Sequence, residues 1–178
     1  MGARLSAVVP SSDVHASGDF EEWRACECAA EHWIAHRMLK QSSTLLRPTA
    51  DRLVRRVTGG LVSHEHVLVE LRCEQCGHEF GVTLEFCEDG TSMTVGRHRS
   101  LVRVRRAAAL RLPFRALADV YAASTHAAKE YRLLRFNCKD YAREIWAKIL
   151  AADRAWRACR LLLNSWLLFC LVFLLVLI

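Results

Sequence analysis

The segment RLLRFNCKDYAREIW, residues 132–146, places a cysteine where a thiol can react. Asn137 is a preferred N-cap residue, so Cys138 is predicted to lie in the first turn of a helix. The positive end of the helix dipole favours a thiolate there, whereas the nearby Asp140 carboxylate disfavours it. Apolar positions at 138, 141, 142, 145, 146 and 149 turn this face toward the core. The local pattern therefore permits either a nucleophile or an ordinary buried residue at Cys138.

A thiolate nucleophile needs a base beside it, and the segment SHEHVLVEL, residues 63–71, supplies two histidines. The segment predicts a strand, in which His64 and His66 lie two positions apart on one face. Either ring can reach from the sheet toward the start of the helix. The alternative interpretation is that both histidines are solvated at the end of a strand.

The segment CEQCGHEF predicts a metal site at a hairpin turn. Cys73 and Cys76 form a C-x-x-C-G pattern that is typical of a zinc knuckle. A closed structural zinc site needs four ligands, and the sequence holds no second C-x-x-C. The remaining ligands stay open among Cys26, Cys28, Cys87 and His78, or a helical stripe of Cys28, His32 and His36. The prediction is structural zinc at Cys73 and Cys76, and the alternative is a polar turn with two reduced thiols.

The composition bounds the class of protein. A chain of 178 residues has room for one domain with appendages. Its 25 basic and 19 acidic residues give a formal charge of +6 without the aromatic-plus-basic pattern of a nucleic-acid reader. This charge suits an anionic membrane surface, and no nucleic-acid partner is expected. The N-terminus lacks the apolar core of a secretory signal, so the body is expected in the cytosol with its eight cysteines reduced.

Two segments predict attachment to a membrane. Residues 161–178, LLLNSWLLFCLVFLLVLI, carry no charge and would span roughly 27 Å as a helix. The arginines that precede them predict a single-pass tail anchor with the body of the protein on the cytosolic side. The first residues, MGARLS, also match the pattern for myristoylation of Gly2.

The chain divides into four predicted parts: a polar, disordered segment over 1–18, a helical segment over 19–58, an α+β domain over 59–152 and a transmembrane tail over 161–178. The helical segment is predicted to begin with a helix over about 20–40. In the domain, LVSHEHVLVELR and FGVTLEFC predict a hairpin, followed by short strands and by helices after Pro113 and from Cys138. The fold class is α+β, a small antiparallel sheet flanked by helices.

The segment YRLLRFNCKDYA resembles the cysteine box of the circularly permuted papain-like hydrolases. This group includes the lecithin:retinol acyltransferase-like phospholipases and acyltransferases and the PPPDE-type deSUMOylating isopeptidases. The matching positions are Tyr131, Leu134, Asn137, Cys138 and Tyr141. The histidine that opens an upstream strand in these families corresponds to His64, with His66 in reserve. The pair Lys139-Asp140 departs from the usual box.

The resemblance implies a permuted papain-like fold and a thioester mechanism in which Cys138 is the nucleophile and His64 the base. Asn137 and a further polar residue, either His78 or Glu85, would support them, and catalysis would need no cofactor. With the predicted anchor, the expected function is a membrane-anchored thiol hydrolase or acyltransferase in lipid metabolism, whose partners are membrane lipids and an acyl acceptor. The alternatives are an isopeptidase for ubiquitin-like conjugates and an inactive, zinc-stabilised, membrane-anchored binding module.

Overall fold

The computed structural model describes residues 20–21, 27–44, 63–87, 90–98, 102–124 and 137–176. Gly2 and the predicted disordered segment 1–18 lie outside the described residues, so disorder and myristoylation there stay predictions.

The described chain forms seven strands, a 3₁₀ turn at Ala30–His32 and two α-helices. The strands are β1 (Phe20–Glu21), β2 (Trp33–Thr44), β3 (Ser63–Cys73), β4 (Glu79–Cys87), β5 (Gly90–Val95), β6 (Arg97–His98) and β7 (Val102–Pro113); the helices are α1 (Phe114–Ala122) and α2 (Cys138–Val176). Five strands form one antiparallel sheet in the order β5-β4-β3-β2-β7, and β1 pairs with β6. The α+β class with an antiparallel sheet is therefore confirmed.

Strands β3 and β4 form the predicted hairpin. Val69 pairs with Val82 in the antiparallel register, and both side chains are fully buried. The turn closes through two backbone hydrogen bonds of 2.9 Å, from Cys73 N–H to the His78 carbonyl and from Gly77 N–H to the Cys73 carbonyl. Gly77 adopts a φ of 74°, a left-handed conformation that residues with a Cβ rarely adopt. The glycine after C-x-x-C therefore fixes the position of both cysteines.

The core lies between one face of the large sheet and the two helices. Trp33 makes edge-to-face contacts with Phe80 at 4.9 Å and Phe114 at 5.5 Å between ring centroids, joining β2, β4 and α1. Helix α2 contributes the fully buried Tyr141 and Ile145. The apolar spacing after Cys138 thus produces the packed helix face that the sequence predicts.

The predicted helix over about 20–40 is wrong where the structure describes this segment, because Trp33–Thr44 forms strand β2. This strand lies inside the sheet and pairs with β3 on one side and β7 on the other. Pairing along both edges satisfies its backbone N–H and C=O groups, which outweighs a weak local preference for helix. The apolar spacing of residues such as Trp33 and Met38 was compatible with either structure.

The prediction of a transmembrane tail over 161–178 is also wrong. Among the residues that the structure describes, no helix is both long enough and apolar enough to cross a membrane. The tail forms no separate helix but continues α2, which carries charged side chains as far as Arg160. The predicted localisation as a single-pass membrane protein is therefore wrong as well.

Candidate active site and metal centre

Cys138 lies at the first position of α2, and Asn137 caps this helix. The Asn137 side-chain oxygen accepts hydrogen bonds from the backbone N–H groups of Lys139 at 2.9 Å and Asp140 at 3.2 Å. The Cys138 thiol is 5% exposed, and its Sγ lies 3.9 Å from the Ser63 carbonyl oxygen. The start of the helix therefore brings the thiol to the start of β3.

The charge of Asp140, which disfavours a thiolate, has a cation beside it. Arg143 Nη1 lies 3.4 Å from Asp140 Oδ1 on the exposed side of the first helical turn. The ion pair reduces the field of the carboxylate at the thiol. The helix dipole is thus less opposed than the sequence alone indicates.

His64 connects Cys138 to a carboxylate. Its side chain hydrogen-bonds to Cys138, and its Nε2 lies 3.0 Å from Glu85 Oε2. Ser92 Oγ donates a 3.4 Å hydrogen bond to Glu85 Oε1 and holds the carboxylate in place. Cys138, His64 and Glu85 are all buried, so the three groups interact with little screening by water.

The environment of His64 favours its charged form. Burial alone lowers the pKa of the imidazole, but hydrogen bonds and negative charge from Cys138 and Glu85 outweigh burial and raise the pKa from 6.5 to about 9. Near neutral pH the ring is therefore an imidazolium between the sulfur of Cys138 and the Glu85 carboxylate. This cation stabilises a Cys138 thiolate and can donate a proton to a leaving group.

The raised pKa of His64 predicts a pH dependence of stability. The folded state holds this proton more tightly than the unfolded state, so the stabilisation is fully present below pH 6.5 and is lost as the pH rises through about 9. We expect the ring resonances of His64 in an NMR titration to change near pH 9. The free energy of unfolding should fall over the same interval in wild type and less in Glu85→Gln. A midpoint near 6.5 in wild type would contradict the charged state.

The other predicted catalytic residues have different positions. His66 is fully buried, its Nε2 lies 3.0 Å from Gln41 Oε1, and its ring stacks on that of His64 at 5.8 Å. His78 lies beside the turn at the far end of the β3–β4 hairpin, roughly 30 Å from His64 at the rise of an extended strand. Of the two options for the third residue, the structure brings Glu85 and not His78 to His64.

The remaining positions of the cysteine box have structural roles or lie outside the description. Tyr141 is fully buried and its ring lies 6.0 Å from that of Phe86. Burial raises the pKa of the Tyr141 phenol, which therefore stays neutral. Tyr131 and Leu134 lie outside the described residues. Since Asn137 already engages the N–H groups of Lys139 and Asp140, the start of the helix has fewer donors for an oxyanion than the resemblance implies.

A cluster of three thiols lies at the tip of the hairpin. One sulfur atom each from Cys28, Cys73 and Cys76 lies within 4.8 Å of the others, so the cluster could hold a metal ion. The backbone N–H of Glu74 donates a 2.7 Å hydrogen bond to the His32 carbonyl, which joins the turn to the segment before β2. This contact between distant segments brings Cys28 to the two predicted ligands.

Among the residues that the structure describes, the other ligand candidates are not in this cluster. His32 and His36 lie in the 3₁₀ turn and in β2, so the predicted helical stripe does not form. Their Nε2 atoms lie 3.9 Å from carboxylate oxygens of Glu31 and Glu79, respectively. Cys26 lies outside the described residues.

A second group of ligand atoms lies around His64. One atom each of His64, Glu85 and Cys87 lies within 4.8 Å of the others. From the sequence, Cys87 was predicted only as a possible further ligand of the zinc knuckle at Cys73 and Cys76. The spacing of Glu85 and Cys87, two residues apart on one strand, was the available signal that their side chains share a face.

No protein-family model matches this chain, and searches of curated proteins and of solved structures find no match.

Proposed function

We propose that this protein is a thiol-dependent acyl hydrolase or acyltransferase. The observation that carries the proposal is the position of His64, which hydrogen-bonds to the Cys138 thiol and to the buried Glu85 carboxylate at the same time. A nucleophile, a base and a group that orients the base are the three parts of this chemistry. The resemblance of the cysteine box to the permuted papain-like hydrolases supports the same roles.

In the proposed mechanism, the Cys138 thiolate attacks the acyl carbonyl carbon, and the bond between that carbon and the leaving oxygen or nitrogen breaks. The His64 imidazolium gives its proton to the leaving alcohol or amine, which leaves a thioester on Sγ. His64 then takes a proton from a water molecule or an acceptor alcohol, whose oxygen attacks the thioester and releases the thiolate. Glu85 keeps the ring oriented and stabilises its positive charge throughout the cycle.

The proposed substrate class is a lipid acyl ester, as in the acyltransferase members of the group that the sequence resembles. The prediction of a membrane tail, which favoured a lipid substrate over a protein substrate, is wrong. The proposal therefore rests on the resemblance and on the thiol chemistry, which an isopeptidase would share. Adduct formation with a phospholipid and with a ubiquitin-like electrophile distinguishes the two substrate classes.

Intact mass spectrometry of the full chain with a short-chain phospholipid tests this function. We expect a mass increase equal to one acyl group, localised to Cys138 by peptide analysis and absent from Cys138→Ala. Cys159→Ala, which removes an exposed cysteine on the same helix, should still form the adduct. A parallel reaction with a ubiquitin-like C-terminal electrophile distinguishes a protein substrate. A folded protein that forms no adduct with either reagent would overturn the function and favour a binding module.

The thiol cluster of Cys28, Cys73 and Cys76 is proposed to bind a structural zinc ion. The three cysteine sulfur atoms lie within 4.8 Å of one another, and a C-x-x-C-G turn holds two of them. Cysteine thiolates are preferred ligands of structural zinc. The ion would join the segment before β2 to the β3–β4 hairpin, because Cys28 belongs to one and Cys73 and Cys76 to the other. Its role is the stability of the fold, and catalysis at Cys138 does not require it.

A further inference from the structure

We infer that His64, Glu85 and Cys87 form a second zinc site, and that occupation of this site reversibly inhibits Cys138. The inhibitory part rests on the proposed function, whereas the metal site itself does not. The site differs from the thiol cluster, which lies at the opposite end of the β3–β4 hairpin.

The geometry of the three side chains supports a metal. An imidazole nitrogen, a carboxylate oxygen and a thiol sulfur lie within 4.8 Å of one another, and all three belong to types that bind zinc. His64 Nε2 and Glu85 Oε2 are 3.0 Å apart. Tetrahedral zinc with bonds of about 2.0–2.3 Å requires ligand atoms roughly 3.3–3.8 Å apart, so only small displacements are needed.

The ligand set is typical of an exchangeable zinc ion. Only one of its three protein ligands is a thiolate, whereas the thiol cluster offers three, and the fourth position is open to water as in catalytic zinc sites. Strand β4 supplies Glu85 and Cys87, and strand β3 supplies His64. The site therefore rests on two adjacent strands, which hold the ligands without a rearrangement of the fold.

Zinc at this position would remove the base from the reaction. It would bind Nε2 of His64 in place of the proton shared with Glu85, and coordination would release that proton and the proton of the Cys87 thiol. An imidazole bound through Nε2 carries its one proton on Nδ1 and has no lone pair free to accept another. Glu85, engaged by the metal, would no longer orient the ring for catalysis.

A metal titration of the full chain tests the site. The thiol cluster is first filled with one equivalent of Zn²⁺, and Co²⁺ is then added while the visible absorption of cobalt bound to thiolate is recorded. We expect wild type to bind one further equivalent, which Zn²⁺ displaces, and Cys87→Ser to bind it at least tenfold more weakly. Cys159→Ser, at an exposed cysteine outside both clusters, is the matched control and should bind as wild type does. Cys138→Ala should also bind the second equivalent.

The same samples test inhibition. Zn²⁺ should slow the reaction of Cys138 with a thiol electrophile at least tenfold in wild type, EDTA should restore the rate, and Cys87→Ser should need at least tenfold more Zn²⁺. Equal cobalt binding by wild type and Cys87→Ser, or no second equivalent, would overturn the site even if Cys138 forms an acyl adduct. A second equivalent bound through Cys87 in a protein without acyl transfer would retain the site and overturn the proposed function.

Discussion

Replacing His64 with alanine is expected to slow acylation of Cys138 by about 10²–10⁴-fold, the range that a positioned acid–base group contributes. The reason is that His64 is the group that hydrogen-bonds to the thiol and carries a proton with a pKa of about 9 beside it. Without the ring, the thiolate loses its counter-ion and the leaving group loses its proton donor. The measurement is the rate of appearance of the acyl adduct, or of an electrophile adduct on Cys138, with each cysteine resolved by peptide mass.

The control for this substitution is His78→Ala, which removes another histidine of the same hairpin at the far end from Cys138. We expect its acylation rate to stay within about twofold of wild type, since exposed substitutions away from special features have small effects. Circular dichroism should show that both variants are folded. Similar rates for His64→Ala and wild type would show that Cys138 reacts without this base.

Glu85→Gln separates orientation of the ring from acid–base chemistry. The amide can still accept a hydrogen bond from His64 Nε2, but its negative charge is gone. A hydrogen bond to a charged group contributes about 1.5–3 kcal/mol, so a loss of roughly 10–100-fold in rate is expected. The effect should therefore be smaller than that of His64→Ala, and the pKa of His64 should fall at the same time. A larger effect than that of His64→Ala would contradict the supporting role of Glu85.

Loss of the structural zinc ion is expected to destabilise the fold by about 3–4 kcal/mol when free zinc exceeds its dissociation constant by 100- to 1000-fold. Cys76→Ser is the informative variant, because the Cys76 side chain is exposed and its replacement leaves no cavity. Cys73 is fully buried, so its substitution would combine the loss of a ligand with a change in the core. The measurement is the free energy of urea unfolding with and without a chelator, together with zinc content by elemental analysis.

Cys159→Ser is the matched control for the zinc prediction, because it removes an exposed thiol of α2 that belongs to neither group of ligand atoms. Its zinc content and stability should equal those of wild type. A chelator should lower the stability of wild type and Cys159→Ser but not of Cys76→Ser. Equal stability of all three proteins with and without the chelator would show that the turn consists of reduced thiols.

The features that the sequence predicts correctly depend on local signals. The β3–β4 hairpin follows from two runs of strand-forming residues around a C-x-x-C-G turn, and Gly77 has the positive φ that this turn requires. The beginning of α2 follows from the cap at Asn137 and from the helical apolar spacing after Cys138. These elements are predictable because the interactions that specify them join residues close in the chain.

The candidate sites depend on contacts between distant segments, which the spacing of residues along the chain does not predict. His78 and Glu85 were equally acceptable third residues in the sequence, and only the packing of β3, β4 and α2 brings Glu85 to His64. In the same way, a contact between His32 and Glu74 brings Cys28 to the knuckle. Each pairing joins residues more than 20 positions apart, and many such pairings are compatible with one local pattern.

The sequence by itself determined the residue types for thiol chemistry, the hairpin that carries His64 and the helix that begins at Cys138. The tertiary structure decided that Trp33–Thr44 is a strand, because it pairs with β3 and β7 along both edges. It also decided that residues after Arg160 continue a helix anchored in the core, whereas the sequence indicated a separate membrane span. The physical reason for the strand is that backbone pairing between distant segments outweighs the small local preferences that periodicity measures, whereas the helix continues through its own local hydrogen bonds from a first part packed in the core.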